Sequence, residues 1–154
     1  MANTYTQIYI QIVFAVKGRK CFIQERFREE VQAYMAGIIE RRGQKLYAIY
    51  CMPDHVHILV SLNPDISISD LVRDVKANSS RYLNEQFLLG HQFNWQAGFG
   101  AFSYSKSQAQ RVVGYIINQK EHHRKKTFKE EYLEFLEKFE IEYNEKYLFE
   151  FYED

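Results

Sequence analysis

The sequence predicts an α+β fold with the element order β-α-β-β-α-β, on three observations. Apolar residues alternate with period two near the start of the chain and again after Pro53, as they do in strands. Two intervening segments repeat their apolar residues at helical spacing. Pro53-Asp54 leaves only a hairpin-length connection between the two middle strands. This order is the ferredoxin-like (RRM-like) arrangement, one antiparallel sheet with helices on one face. Many unrelated activities use that architecture, so the fold alone assigns none.

Thr6, Ile8, Ile10, Ile12, Phe14 and Val16 alternate with Gln7, Tyr9, Gln11 and Val13, a first strand with one face buried. Gly18 ends it. Phe27, Val31, Tyr34, Met35, Ile38 and Ile39 mark a first helix, with Gly43 as its stop signal behind Arg41 and Arg42. Residues 45–52, KLYAIYCM, form a second strand, and residues 55–62 a third that ends before Pro64. Ser67 and Asp70 make a capping box for a second helix carrying Leu71, Val72, Val75, Tyr82 and Leu83. Residues 88–100 are a Gly-containing loop, and residues 101–107, AFSYSKS, a short fourth strand. Ser107 is placed to cap a helix through about residue 123. Tyr132, Phe135, Leu136 and Phe139 define one more amphipathic helix.

At 154 residues, 46% hydrophobic and 26% charged, the chain reads as one ordinary globular domain, 1–154. No apolar run approaches the roughly 20 residues of a membrane helix. The N-terminal stretch has no basic leader and alternates apolar residues with Thr and Gln, so it is not a signal peptide and the expected location is the cytoplasm. Cys21 and Cys51 stand in no paired-ligand spacing and are expected to be idle thiols. Net charge is zero, but unevenly spread. Residues 129–154 hold ten acidic and three basic side chains, net −7, so the body 1–128 carries +7. A basic body beside an acidic C-terminal helix is the asymmetry of a polyanion binder, though a merely solubilising acidic helix fits as well.

The middle of the chain raises a chemical question. In CMPDHVHILVSL, residues 51–62, side chains alternate across the strand. Val56, Ile58, Val60 and Leu62 make a core face, and His55 and His57 share the other, expected to be the uncovered side of the sheet. Two imidazoles at i and i+2 can converge on one cation, or can simply be surface histidines. They underfill a coordination sphere, so a third ligand must come from elsewhere. In RVVGYIINQKEHHRKK, Tyr115 and Gln119 are four apart on one helical face, with His122 roughly aligned.

MPDHVHILVSL followed some sixty residues later by YIINQKEHH resembles the TnpA-type single-tyrosine HUH transposases of small bacterial insertion sequences (the 200/605 class). HUH denotes His, a bulky hydrophobic residue and His, here His55-Val56-His57. The similarity runs through nearly the whole chain, including WQAGFGAFSYS at 95–105. It implies that His55, His57 and Gln119 bind a metal ion, Mg²⁺ or Mn²⁺, and that Tyr115 is the nucleophile. Ligand type alone would equally accept zinc. The resemblance also implies a substrate of single-stranded DNA with hairpins at element ends. It implies a homodimer in which the tyrosine helix of one subunit completes the His site of the other, and association with the nucleoid when on DNA.

Under that resemblance Arg73, Lys76 and Arg81 on the second helix, and Arg111, Arg124, Lys125 and Lys126 around the tyrosine helix, are candidate phosphate contacts. Trp95, Phe99 and Tyr104 are candidates for stacking on unpaired bases, Trp95 being equally a core residue. His122 and His123 are expected only to cap their helix. Three other readings stay open: a domesticated relative acting on repeated hairpins, a non-catalytic nucleic-acid-binding module, and a metal hydrolase built on His55 and His57.

Overall fold

The computed structural model describes residues 3–87 and 91–152. Residues 88–90 of the expected loop, and Glu153 and Asp154 of the acidic stretch, lie outside them. Strands β1 (Tyr9–Ala15), β2 (Lys45–Cys51), β3 (His55–Ser61) and β4 (Gly100–Tyr104) form one antiparallel sheet in the order β2-β3-β1-β4. Helix α1 (Arg28–Arg41) joins β1 to β2, and α2 (Ile68–Gln86) joins β3 to β4, as the sequence predicts. Helices α3 (Lys106–Ile117), α4 (Gln119–His122) and α5 (Phe128–Lys138) follow. No helix among the described residues is long and apolar enough to cross a membrane.

Register sets the two faces of the sheet. Ile10, Ile12 and Phe14 lie opposite Val60, Ile58 and Val56. Period two puts all six on one side, where they share the main core with Val31, Met35, Ile38 and Ile39 of α1 and Leu71, Val72 and Val75 of α2. Met52 N–H donates to the His55 carbonyl at 2.8 Å and closes the β2–β3 turn. Both cysteines are free and buried, and burial pushes the Cys51 thiol up to about 12. Trp95 is core: its ring meets Phe14 edge-on at 4.8 Å, and its Nε1–H donates to Ser79 Oγ at 2.9 Å.

The opposite face departs from expectation. It carries Tyr9, Gln11, Val13, His55, His57 and Leu59, and it is not open. Every residue of β1 is buried, because α3, α4 and α5 cover this side. Tyr9, Ala48 and Leu59 pack against Ala109, Val112 and Ile116 of α3. The physical reason is that amphipathic helices must bury their apolar stripes, and the second face of the sheet is what these can reach.

Three boundaries also differ. β4 ends at Tyr104, short of the expected residue 107, because α3 already begins at Lys106. Ser105, not Ser107, caps α3: Gln108 Oε1 accepts from the Ser105 N–H at 2.9 Å. Ser107 is inside the first turn, 2.9 Å from Ser105 Oγ. The expected single helix to residue 123 is interrupted at Asn118 and resumes as α4. At α5 the capping box is complete, with Thr127 Oγ1 accepting from Glu130 N–H at 3.1 Å and Glu130 Oε1 accepting from Thr127 N–H at 3.1 Å.

Helix α5 is held by contacts on both sides. Beyond it, the Phe149 ring packs at a tilt against Tyr132 at 4.9 Å, and Gly18 N–H donates to the Tyr152 hydroxyl at 2.6 Å. Beneath it, a Cβ at Gly100 would lie 2.7 Å from the Tyr132 hydroxyl oxygen and 2.9 Å from its Cε1. Gly100→Ala is therefore expected to destabilise the protein by about 1–3 kcal/mol through overpacking. Urea denaturation should show a lower midpoint with an unchanged slope.

Candidate metal centre and nucleophile

His55 and His57 enter the site from the N-terminal end of β3. Their exposures are 1% and 0%, and their rings lie 5.1 Å apart. Each has one nitrogen held from behind. His55 Nδ1 lies 2.7 Å from Asp54 Oδ1, and His57 Nδ1 lies 2.8 Å from Gln11 Oε1. Because both partners are acceptors, each ring is assigned a proton on Nδ1, which leaves its Nε2 edge facing the site. Carboxylate or amide support behind a histidine is how proteins orient metal-ligating imidazoles. Gln11 is itself fixed, its Nε2 donating to the Tyr104 hydroxyl at 2.8 Å. The His55 ring stacks flat on Phe128 at 3.8 Å.

The two Nε2 atoms face Glu131, a residue of the acidic helix α5 that is 2% exposed. Glu131 Oε1 lies 2.9 Å from His57 Nε2, 3.7 Å from His55 Nε2 and 3.2 Å from His123 Nε2. Its Oε2 accepts from the Tyr115 hydroxyl and, at 3.2 Å, from Gln119 Nε2. One ligand atom from each of His55, His57, His123 and Glu131 falls within 4.8 Å of the others. His55 Nε2 is buried with no hydrogen-bond partner among the described residues. An orphaned imidazole nitrogen, beside two more imidazoles and a carboxylate, is a donor set that fits a divalent cation.

The electrostatics follow from this packing. Burial raises the Glu131 carboxyl, but His57, His123 and His55 outweigh it and hold the group well below the ordinary carboxylate range. Burial lowers His57 despite the Glu131 carboxylate beside it. Burial and then the Glu131 charge push the Tyr115 phenol far above its ordinary value, so it rests as a neutral donor.

Tyr115 sits on α3, with its hydroxyl 3.1 Å from His122 Nε2 and its ring 6.0 Å from that of His57. Gln119, at the start of α4, is fully buried; its Oε1 accepts from His123 Nε2 at 2.9 Å. The structure thus brings His55, His57, Tyr115 and Gln119 together within one chain, where the resemblance implied a site shared between two. His122 and His123, expected only as helix caps, both reach into it. Sequence reasoning missed Glu131, His123, Gln11 and Asp54 as participants. The signal available was the spacing of His123 from Gln119, four residues on one helical face; nothing local marks Glu131 among its acidic neighbours.

The basic candidates divide into two groups. Arg111, Lys125 and Lys126 line a cleft with Tyr115 and His122. Arg124 pairs with Glu121 at 3.4 Å on the same segment. Arg73, Lys76 and Arg81 belong to α2, on the other side of the sheet. Arg73 pairs with Asp70 at 2.6 Å, and Arg81 donates to Asn78 Oδ1 at 2.6 Å. Lys76 donates to the Gln96 and Gly98 carbonyls at 2.8 and 2.6 Å, and burial lowers its ammonium to about 8. Its hydrogen bonds tie down the 96–98 loop rather than standing free for phosphate. Tyr104 supports Gln11, and Phe99 lines the α2 groove with Lys76.

Known proteins match this chain along most of its length. It is 28% identical over 127 residues to the transposase for insertion sequence element IS200 of Salmonella typhimurium (strain LT2), covering 79% of this chain and 82% of that one. It is 24% identical over 120 residues to the ISDra2 transposase TnpA of Deinococcus radiodurans, covering 73% and 84%. A crystal structure of a chain assigned as a transposase from Deinococcus radiodurans R1 superposes with a TM-score of 0.62 at 22% identity, covering 77% of this chain and 95% of that chain. A REP-associated tyrosine transposase bound to a REP hairpin superposes with a TM-score of 0.60 at 15% identity, covering 80% and 73%. These two structures bear on the fold. Residues 4–119 match the family profile described as Transposase IS200 like.

Proposed function

Because the chain belongs to the IS200-like transposase family, we propose that it cleaves and rejoins single-stranded DNA at insertion-sequence ends through a covalent bond to Tyr115. The observation that supports this reading is a tyrosine hydroxyl in contact with Glu131 and His122, on the rim of a buried His-x-His pair. In this reading the Tyr115 oxygen attacks the scissile phosphorus. The P–O3′ bond breaks, leaving a 5′-phosphotyrosine and a free 3′-hydroxyl. The phenolic proton has two acceptors in contact, the Glu131 carboxylate and His122 Nε2. The energy of the phosphodiester is kept in the covalent bond, so a second 3′-hydroxyl reverses the step and joins new ends.

His55 and His57, with Gln119 as the third group, would hold the cation, Mg²⁺ or Mn²⁺. When bound, it neutralises charge on the scissile phosphate. Arg111, Lys125 and Lys126 would position the backbone beside Tyr115 without reading sequence. The DNA partner would carry hairpins next to the cleavage site, met in the cytoplasm at the nucleoid.

The test is to incubate the protein and Mn²⁺ with labelled single-stranded oligonucleotides from the flanks of its own gene. A labelled protein band that survives denaturing electrophoresis is expected. Tight binding of every flank without any such band would overturn the reading in favour of a binding module.

A homodimer remains the proposed assembly, but each chain would supply its own site. Mixing Tyr115→Phe with His57→Ala subunits is accordingly expected to restore no cleavage. Recovery toward about a quarter of the wild-type rate would show instead that the tyrosine helix changes places between subunits.

A further inference from the structure

We infer that Glu131, carried on the acidic C-terminal helix, is itself a metal ligand of the His55–His57 centre and joins that centre to Tyr115. The inference rests on the proposed metal-dependent reading and adds a residue outside the 4–119 segment that matches the family.

Three observations carry it. First, Glu131 is 2% exposed, and its recorded partners are imidazoles, a phenol and an amide: His57, His123, His55, His122, Tyr115 and Gln119. None of these is a permanent cation. Burying a carboxylate among groups that carry no permanent charge is costly, and a divalent ion there would supply a counter-charge. Second, His55 Nε2 is a buried nitrogen with no hydrogen-bond partner among the described residues, and it faces the same carboxylate oxygen at 3.7 Å. A cation there would satisfy both groups at once. Third, the supporting contacts lie behind the imidazoles, not in front of them. Asp54 and Gln11 hold the Nδ1 atoms, so the inward Nε2 atoms are left to Glu131 and to whatever it shares the pocket with.

The two oxygens of Glu131 then have separate tasks. Oε1 belongs to the cluster of imidazole nitrogens, and Oε2 to Tyr115 and Gln119. A carboxylate used in this way fixes the nucleophile relative to the ion through one rigid group. Helix α5 is thereby part of the reaction centre, a role that the acidic excess of residues 129–154 does not express.

The experiment measures Mn²⁺ binding, without DNA, by the loss of the free-ion paramagnetic resonance signal and by the Mn²⁺-induced shift in melting temperature. Wild type, Glu131→Gln and Glu131→Asp are compared as full chains, each first melted without metal to establish folding. Glu131→Gln preserves shape and is expected to weaken Mn²⁺ binding by at least ~10-fold, with a correspondingly smaller thermal shift. Glu131→Asp, which keeps the charge on a shorter stem, is expected to fall between, and it serves as the comparison if the Gln variant does not fold. Unchanged Mn²⁺ affinity in the variants would overturn the inference alone. Tighter binding would overturn it too, showing that the carboxylate occupies the ion's place and must leave. If wild type binds no Mn²⁺, the metal-dependent reading fails and this inference with it.

Discussion

Replacing Tyr115 by Phe is expected to remove the covalent protein–DNA adduct altogether, with cleavage lowered by at least ~10⁴-fold, while single-stranded DNA binds with affinity within about twofold of wild type. The change deletes one oxygen. That oxygen is the nucleophile, and no neighbouring group replaces it: His122 and Glu131 are in contact with it but are placed to take its proton. The stability cost should be modest. Phe keeps the ring contacts to His57 and Phe135, and the Glu131 carboxylate loses one of several donors, worth about 1.5–3 kcal/mol. Denaturing electrophoresis of labelled oligonucleotides measures the first effect, and filter binding the second. An adduct that persists in the Phe variant would assign the nucleophile to another residue.

His57→Ala is expected to act on fold and chemistry together. A histidine on an open sheet face could be truncated with little consequence. This one is fully buried, between Gln11 Oε1 and Glu131 Oε1. Removing the imidazole leaves a buried carboxylate with one counter-donor fewer, an unpaired amide oxygen and a cavity. Loss of one member of a buried ionic contact costs about 3–5 kcal/mol. The urea midpoint should fall accordingly, and the Mn²⁺-induced rise in melting temperature should vanish. A variant as stable as wild type would mean that water fills and satisfies the site, contrary to its packing.

The strands and the first two helices were legible because one period decided each. Ile10, Ile12 and Phe14 could sit only on a core face, and the short Pro53-Asp54 connection left only a hairpin. His55, His57, Tyr115 and Gln119 were legible as two spaced pairs, and the structure gathers all four. What periodicity does not reveal is coverage. The alternation in β1 is the same whether one face of a sheet is wet or both are buried, so nothing in the pattern marks the histidine face as covered. The partners of a site are equally hidden when they come from far along the chain. Glu131 lies 74 residues beyond His57, in a stretch where acidic residues are so common that none stands out. Only the apolar stripe of α5, which decides which way the helix faces, brings that one carboxylate inward. The cap of α3 illustrates a smaller loss: Ser105 and Ser107 are both good caps, and Gln108 three residues after Ser105 selects between them.

The close approach between Gly100 and Tyr132 has a consequence for inheritance. A side chain at position 100 and an aromatic ring at position 132 compete for one volume, so the two positions are not free to vary separately. A lineage that carries this terminal helix in this pose is expected to keep glycine at the start of β4. One that loses the helix is released from that constraint. Among related sequences, the residue at position 100 should therefore track the presence of the helix, and with it the carboxylate at position 131, even where overall similarity has faded.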